Sequence, residues 1–105
     1  MDAEPLVLIN AFEVAPEEDD AFLAGWERAH DVLRQQEGYL STRLHRSISP
    51  RADFRFINVA LWRSADAFQR AVSQPAFRAV SLPYPSHPSL YEVVRSDAAD
   101  RLGRA

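Results

Sequence analysis

Residues Pro5 to Val14 (PLVLINAFEV) are almost entirely apolar, rich in β-branched side chains and free of internal glycine or proline, so the pattern predicts a first strand there. The chain then turns acidic. Pro16 followed by Glu17, Glu18, Asp19 and Asp20 predicts a helix start, because proline suits the first turn and carboxylates suit the positive end of the helix dipole. Phe22, Trp26, His30 and Leu33 recur at helical spacing, and Gly38 is the expected stop. Leu40, Thr42, Leu44 and Ile48 are set against Ser41, Arg43, His45 and Ser47, which predicts a half-buried second strand. The run from Phe54 to Trp62 (FRFINVALW) predicts a third. Ser64 is placed to cap a second helix through Ala67, Phe68, Ala71 and Val72, which Pro75 breaks and restarts. The three prolines of LPYPSHPS predict a constrained loop, and LYEVVRS, Leu90 to Ser96, a fourth strand.

The order β-α-β-β-α-β defines an α+β, ferredoxin-like domain: a four-stranded antiparallel sheet with two helices on one face, strands one and three central. One domain over residues 1–96 with a polar tail at 97–105 is expected. The central strands are apolar on both sides. Leu6, Leu8, Phe12 and Val14 share a face, as do Phe54, Phe56, Ala60 and Trp62, while Val7, Ile9, Ala11, Ile57, Val59 and Leu61 point the other way. Two helices cover one face only. The other is expected to meet the same face of a second copy in an obligate homodimer, since an apolar patch of that size is unfavourable in water.

Composition narrows the function. Apolar residues make up 47% of 105 positions, which is ordinary for a globular domain, and the net charge of −3 is spread without a basic run. Nucleic acid and anionic membranes are therefore poor partners. No cysteine is present, which removes disulfides, thiolate metal sites and cysteine nucleophiles. Neither a signal peptide nor an apolar run of membrane-spanning length is evident, so a cytoplasmic protein is expected. No phosphate loop, nucleophile elbow or dinucleotide fingerprint occurs, and the three histidines share no helical or strand spacing that would favour a metal site.

Candidate chemistry lies in the exceptions to the apolar pattern. Asn58 sits in the third strand on the face of Phe56 and Trp62, and Asn10 sits in the first on the face of Leu8 and Phe12. Each amide could be satisfied by neighbouring backbone or a buried water. Two amides on two apolar central strands also describe a mostly apolar cavity dotted with donors, the kind of site that holds a flat aromatic ligand. Trp62 adds an indole N–H. Trp26 and His30, on one helix face, are candidates to line the cavity from above, His30 being able to exchange protons near neutral pH. His45 is expected in solvent, and Tyr84 and His87 are candidates for the mouth or simply for a rigid connection.

The stretches PLVLINAFEV, EGYLSTRLHRS, FRFINVALWRSADAFQRAV and HPSLYEVV resemble the antibiotic biosynthesis monooxygenase (ABM) family, from about Pro5 to Arg95, and within it the small anthrone oxygenases of aromatic polyketide pathways. The resemblance implies a dimeric α+β barrel with a cavity between sheet and helices, and oxidation of polycyclic phenols by O₂ with no cofactor, neither metal nor flavin. The Asn-x-x-x-Trp spacing of such oxygenases is present as Asn58 and Trp62, expected to be the catalytic donors, with Asn10, Trp26, His30, Phe68 and Phe77 around the substrate. A tyrosine of that pattern falls on Phe68, and an arginine falls near Leu82, with Arg78 close by. The haem-degrading branch shares the strand-one asparagine, but its other two positions fall near Ala71 and Val80. Two further readings stay open: quinol oxidation in general redox metabolism, and a non-catalytic protein that binds polyketides.

Overall fold

The computed structural model describes residues 5–99. Strand β1 (Leu6–Phe12) leads through a 3₁₀ turn at Pro16–Glu18 into helix α1 (Asp19–Leu33); β2 (Tyr39–Arg46) and β3 (Phe56–Trp62) follow, then α2 (Ala65–Val72), the short α3 (Pro75–Arg78) and β4 (Ser86–Tyr91). All strand pairs are antiparallel and the sheet order is β2-β3-β1-β4, the ferredoxin-like arrangement with β1 and β3 central. Leu8, Phe12, Phe56, Ala60 and Trp62 are buried beneath the helices, whereas Val7, Ile9, Ala11, Ile57, Val59 and Leu61 on the reverse face are half-buried in the single chain. Among the described residues no helix is long and apolar enough to cross a membrane.

The helix ends follow from local chemistry. The Ser64 side chain accepts the Ala67 N–H at 3.1 Å and caps α2. Helix α1 stops at Leu33, short of Gly38, and its last carbonyls are satisfied by i→i+3 bonds from the Gln35 N–H to Val32 (3.3 Å) and the Gln36 N–H to Leu33 (3.0 Å), with the Gln35 and Gln36 side chains donating to the carbonyls of Asp31 (2.9 Å) and Val32 (3.2 Å). Gly38 has a different task. Its φ of +92° turns the chain into β2, and a Cβ there would collide with the Ala67 side chain.

Three sequence expectations are corrected. First, β2 is not evenly alternating. Tyr39 pairs with Trp62 and Ser41 with Leu61, so Leu40 is an extra, bulged residue. Leu40 is therefore exposed and Tyr39 takes the inner face; Ile48, past the strand's end, is fully exposed. Second, Phe54 lies outside β3, and its ring meets His87 edge-on at 5.2 Å instead of sharing the face of Phe56. Third, β4 begins at Ser86, inside the expected loop, and ends at Tyr91. Pro88 is accommodated because β4 is an edge strand. Pro88 faces Asn10, out of phase with the bond from the Glu13 N–H to the Pro85 carbonyl (3.0 Å), so its nitrogen points to the open edge, where no N–H is needed. Glu92 to Ala99 form no regular structure, and the rest of the expected tail lies outside the described residues.

Candidate active site

The buried side chains form two clusters. Phe12, Val14, Phe22 and Phe56 close one end of the helix-covered face; Leu8, Ala60, Trp62, Ala67 and Ala71 form the other. Between sheet and helices lies a cavity of about 620 Å³, and Asn10, Trp26, His30, Asn58, Trp62, Phe68 and Phe77 all line it. It falls within the usual range for small-molecule sites, and its walls are mostly apolar. Among the described residues that line it there is no lysine, arginine, aspartate or glutamate.

The register places Asn10 directly opposite Asn58. The two amides do not bond to each other. Asn58 Oδ1 accepts the Thr42 hydroxyl at 2.7 Å, an ordinary length for O–H···O. Thr42 comes from β2, where it faces Ala60, and itself lines the cavity. Asn10 Oδ1 accepts the His87 backbone N–H at 3.0 Å. Each carboxamide is thus anchored through its oxygen, which orients it and leaves its NH₂ without a partner among the described residues, on the cavity wall. This is an arrangement of preset neutral donors.

Trp62 is 1% exposed, and its indole N–H has no acceptor among the described residues. The nitrogen is shielded, so the indole ring rather than its N–H faces the space. The rings of Tyr39 and Phe68 meet Trp62 edge-on at 5.5 and 5.6 Å. His30 lies under Trp26, stacked at 4.9 Å, and its Nε2 is 3.3 Å from the Tyr39 hydroxyl. Burial raises the Tyr39 phenol above its usual pKa, partly countered by the nearby charge of Arg34. Phe77, Ser81 and Leu82 line the cavity beyond α2. Leu82 settles against α1 because Gly25 leaves room, as a Cβ there would stand 2.6 Å from the Leu82 side chain.

Other candidate residues fall elsewhere. Tyr84 packs edge-on against Phe22 at 5.5 Å in the closed end, and His87 bonds to Glu13 at 2.7 Å; neither lines the cavity. His45 is exposed, with Nδ1 3.1 Å from the Ile57 carbonyl. Arg78 and Val80 do not line the cavity, and Ala71 is packed in the core. Among the described residues no group of three or more His, Cys, Asp or Glu side chains is placed to hold a metal. Sequence reading missed Tyr39, Thr42, Gln69 and Leu82. For Tyr39 a strict two-residue alternation points outward, and only the bulge turns it in.

An antiparallel sheet roofed by two helices, with an amide-dotted apolar hollow between the layers, defines the class. Residues 5–81 match the antibiotic biosynthesis monooxygenase family, and the chain belongs to it. Among characterised relatives it is 32% identical over 79 residues to deoxynogalonate monooxygenase of Streptomyces nogalater, a match covering 73% of this chain and 63% of that protein. The chain thus spans less than two-thirds of that relative's length. Among solved structures it is similar to a protein of Shewanella loihica provisionally assigned as a monooxygenase (40% identity, 89% of this chain and 97% of that one, TM-score 0.79). It is also similar to SnoaB, a cofactor-independent oxygenase of Streptomyces nogalater (26% identity, 90% and 97%, TM-score 0.67).

Proposed function

We propose that this chain is a cofactor-independent monooxygenase that converts a flat polycyclic phenol of the anthrone type to a quinone with O₂, in aromatic polyketide biosynthesis. The observation that carries this reading is Asn58, which lines a largely apolar cavity with its oxygen tied to Thr42 and its NH₂ without a partner among the described residues. An anthrone has an acidic CH₂ between aromatic rings. Loss of a proton gives an electron-rich enolate, which passes an electron to O₂. Recombination forms a peroxide, and loss of water leaves the quinone carbonyl, so one oxygen atom enters the product and the other leaves as water. Asn58 stabilises the enolate oxygen, and Asn10 orients the ring system. Trp26, Phe68 and Phe77 pack against its faces, and Trp62, whose indole N–H has no acceptor among the described residues, backs the site.

The cavity volume favours a polycyclic substrate over a single-ring quinol, and the relation to a deoxynogalonate monooxygenase supports a polyketide. The uncharged lining suits the ring system; a carboxylate on the substrate would stay at the mouth, because a buried, unpaired carboxylate costs several kcal/mol. Metal-free protein supplied with emodinanthrone should consume one O₂ per quinone formed. Asn58→Ala should lower kcat by about 10²–10³, and Trp62→Phe by about tenfold or more, both with wild-type circular dichroism. No O₂ uptake by the wild-type protein sinks the reading and leaves the non-catalytic binding role.

We further propose that the protein acts in the cytoplasm as a homodimer through the reverse face of the sheet. Val7, Ile9, Ala11, Ile57, Val59 and Leu61 are contiguous there, and Ser41, Arg43, His45, His87 and Ser89 border them on the edge strands. Each fully buried Val, Ile or Leu contributes roughly 1.5–3 kcal/mol. Val59→Asp should therefore give a monomer by sedimentation where the wild type sediments as a dimer.

A further inference from the structure

We propose that Tyr39 and His30 form the proton-transfer pair of this site, with the Tyr39 hydroxyl as the atom that meets the substrate. The inference rests on the oxygenase reading and deepens it by assigning the base. The two residues reach the cavity from different layers. His30 comes down from α1, and Tyr39 rises from the first position of β2, where the bulge at Leu40 turns it inward. A bulge beside a cavity commonly re-aims a side chain in this way. The hydroxyl and His30 Nε2 are 3.3 Å apart, within the range that tightens to a working hydrogen bond when substrate binds. Both rings are held by aromatic packing: Trp26 stacks on the imidazole with an interplanar angle of 10°, and Trp62 stands edge-on to the phenol.

The surroundings decide the direction of transfer. Among the described residues, Tyr39 is the titratable side chain hydrogen-bonded to His30. On α1, Asp31 and Arg34 pair with each other at 3.2 Å in solvent, and across the cavity α2 presents Phe68, Gln69 and Val72, none of them charged. Burial keeps the phenol neutral near pH 7, so Tyr39 is a carrier and not the final acceptor. The substrate C–H bond breaks and its proton goes to the Tyr39 oxygen. The original hydroxyl proton of Tyr39 passes to Nε2 of neutral His30. The electron pair stays on the substrate as the enolate, and His30 becomes an imidazolium. No oxidant is consumed in this step. After O₂ has taken its electron and the radicals have combined, His30 returns the proton through Tyr39 to the peroxide anion, and the hydroperoxide loses water.

The test is O₂ uptake with emodinanthrone as a function of pH for the wild type, Tyr39→Phe, His30→Gln and His30→Ala. Tyr39→Phe and His30→Gln should each lower kcat by about 10²-fold and remove the acid limb of the pH profile. The double variant should lose no more than the worse single one, because the pair works as a unit. Added imidazole should restore part of the His30→Ala rate, a rescue that a purely structural histidine would not allow. Uptake by Tyr39→Phe within about twofold of wild type, with the acid limb intact, overturns the pair and leaves the oxygenase reading standing. Absence of rescue together with an intact limb in His30→Gln does the same. No uptake by the wild type overturns both.

Discussion

At the Phe56 end of the helix-covered face, Phe22 is fully buried, stacked on Phe56 at 4.4 Å and edge-on to Phe12 at 4.9 Å. At the Trp62 end the aromatic rings are as numerous, but they stand around a hollow. The difference lies in what faces them. Above the first group, α1 inserts Phe22, which fills the gap between the layers. Above the second, α1 offers Ala29 while β3 offers Ala60, and the residues between are the amides Asn10 and Asn58 and the hydroxyl of Thr42. Large against large gives a closed wall; small and polar against aromatic leaves a space that nothing in the described chain fills. Both ends carry buried apolar side chains, but only the second keeps open space between the layers.

Substitutions at the two ends should act differently. The largest effect is expected from Phe22→Ala, which removes the plug of the closed end and should cost about 3–5 kcal/mol in urea unfolding. Asn58→Ala, at the hollow end, should cost no more than about 1 kcal/mol in the same assay, since it gives up one hydrogen bond beside open space, while the proposed role predicts a large loss of turnover. Equal losses from the two substitutions would show that the ends do not divide the work as described.

A smaller and pH-dependent effect belongs to the closed end alone. Arg55, next to Phe56, grips Asp19 at the start of α1 through Nε (3.0 Å) and Nη2 (2.6 Å), with both side chains mostly covered. The Arg55 hydrogen bond holds the Asp19 carboxyl below its ordinary pKa. Because the folded state binds this proton less readily than the unfolded one, the pair stabilises the fold above the ordinary carboxylate pKa of 3.8 and the contribution fades as pH falls below it. Asp19→Asn should flatten that part of the stability curve in acid denaturation without altering the cavity. A curve of unchanged slope would remove the pair from the acid sensitivity of this end.

Much of this was legible in the chain before any coordinates. The nearly unbroken apolar runs of β1 and β3 marked them as central, and Ser64 announced the start of α2. The two asparagines stood out because amides are rare in such strands. Their opposition across β1 and β3 matches the expected topology. Less was visible where pairing overrides pattern. The proline-rich segment read as a loop because proline is excluded from central strands, yet an edge strand tolerates it at alternate positions. Tyr84 and His87 looked alike as residues of one loop, but one packs beneath the closed end and the other bonds to Glu13 outside the cavity.

The amino-acid order by itself determined the succession of elements, the apolar character of both sheet faces and the presence of unusual amides, because these depend on propensity and on periods read along a single segment. Only the tertiary structure decided that Tyr39 and not Leu40 turns inward, that Thr42 anchors Asn58, and that a hollow remains beneath Trp26. Register, bulges and voids are properties of two surfaces brought together, and no local pattern encodes where their side chains fail to meet.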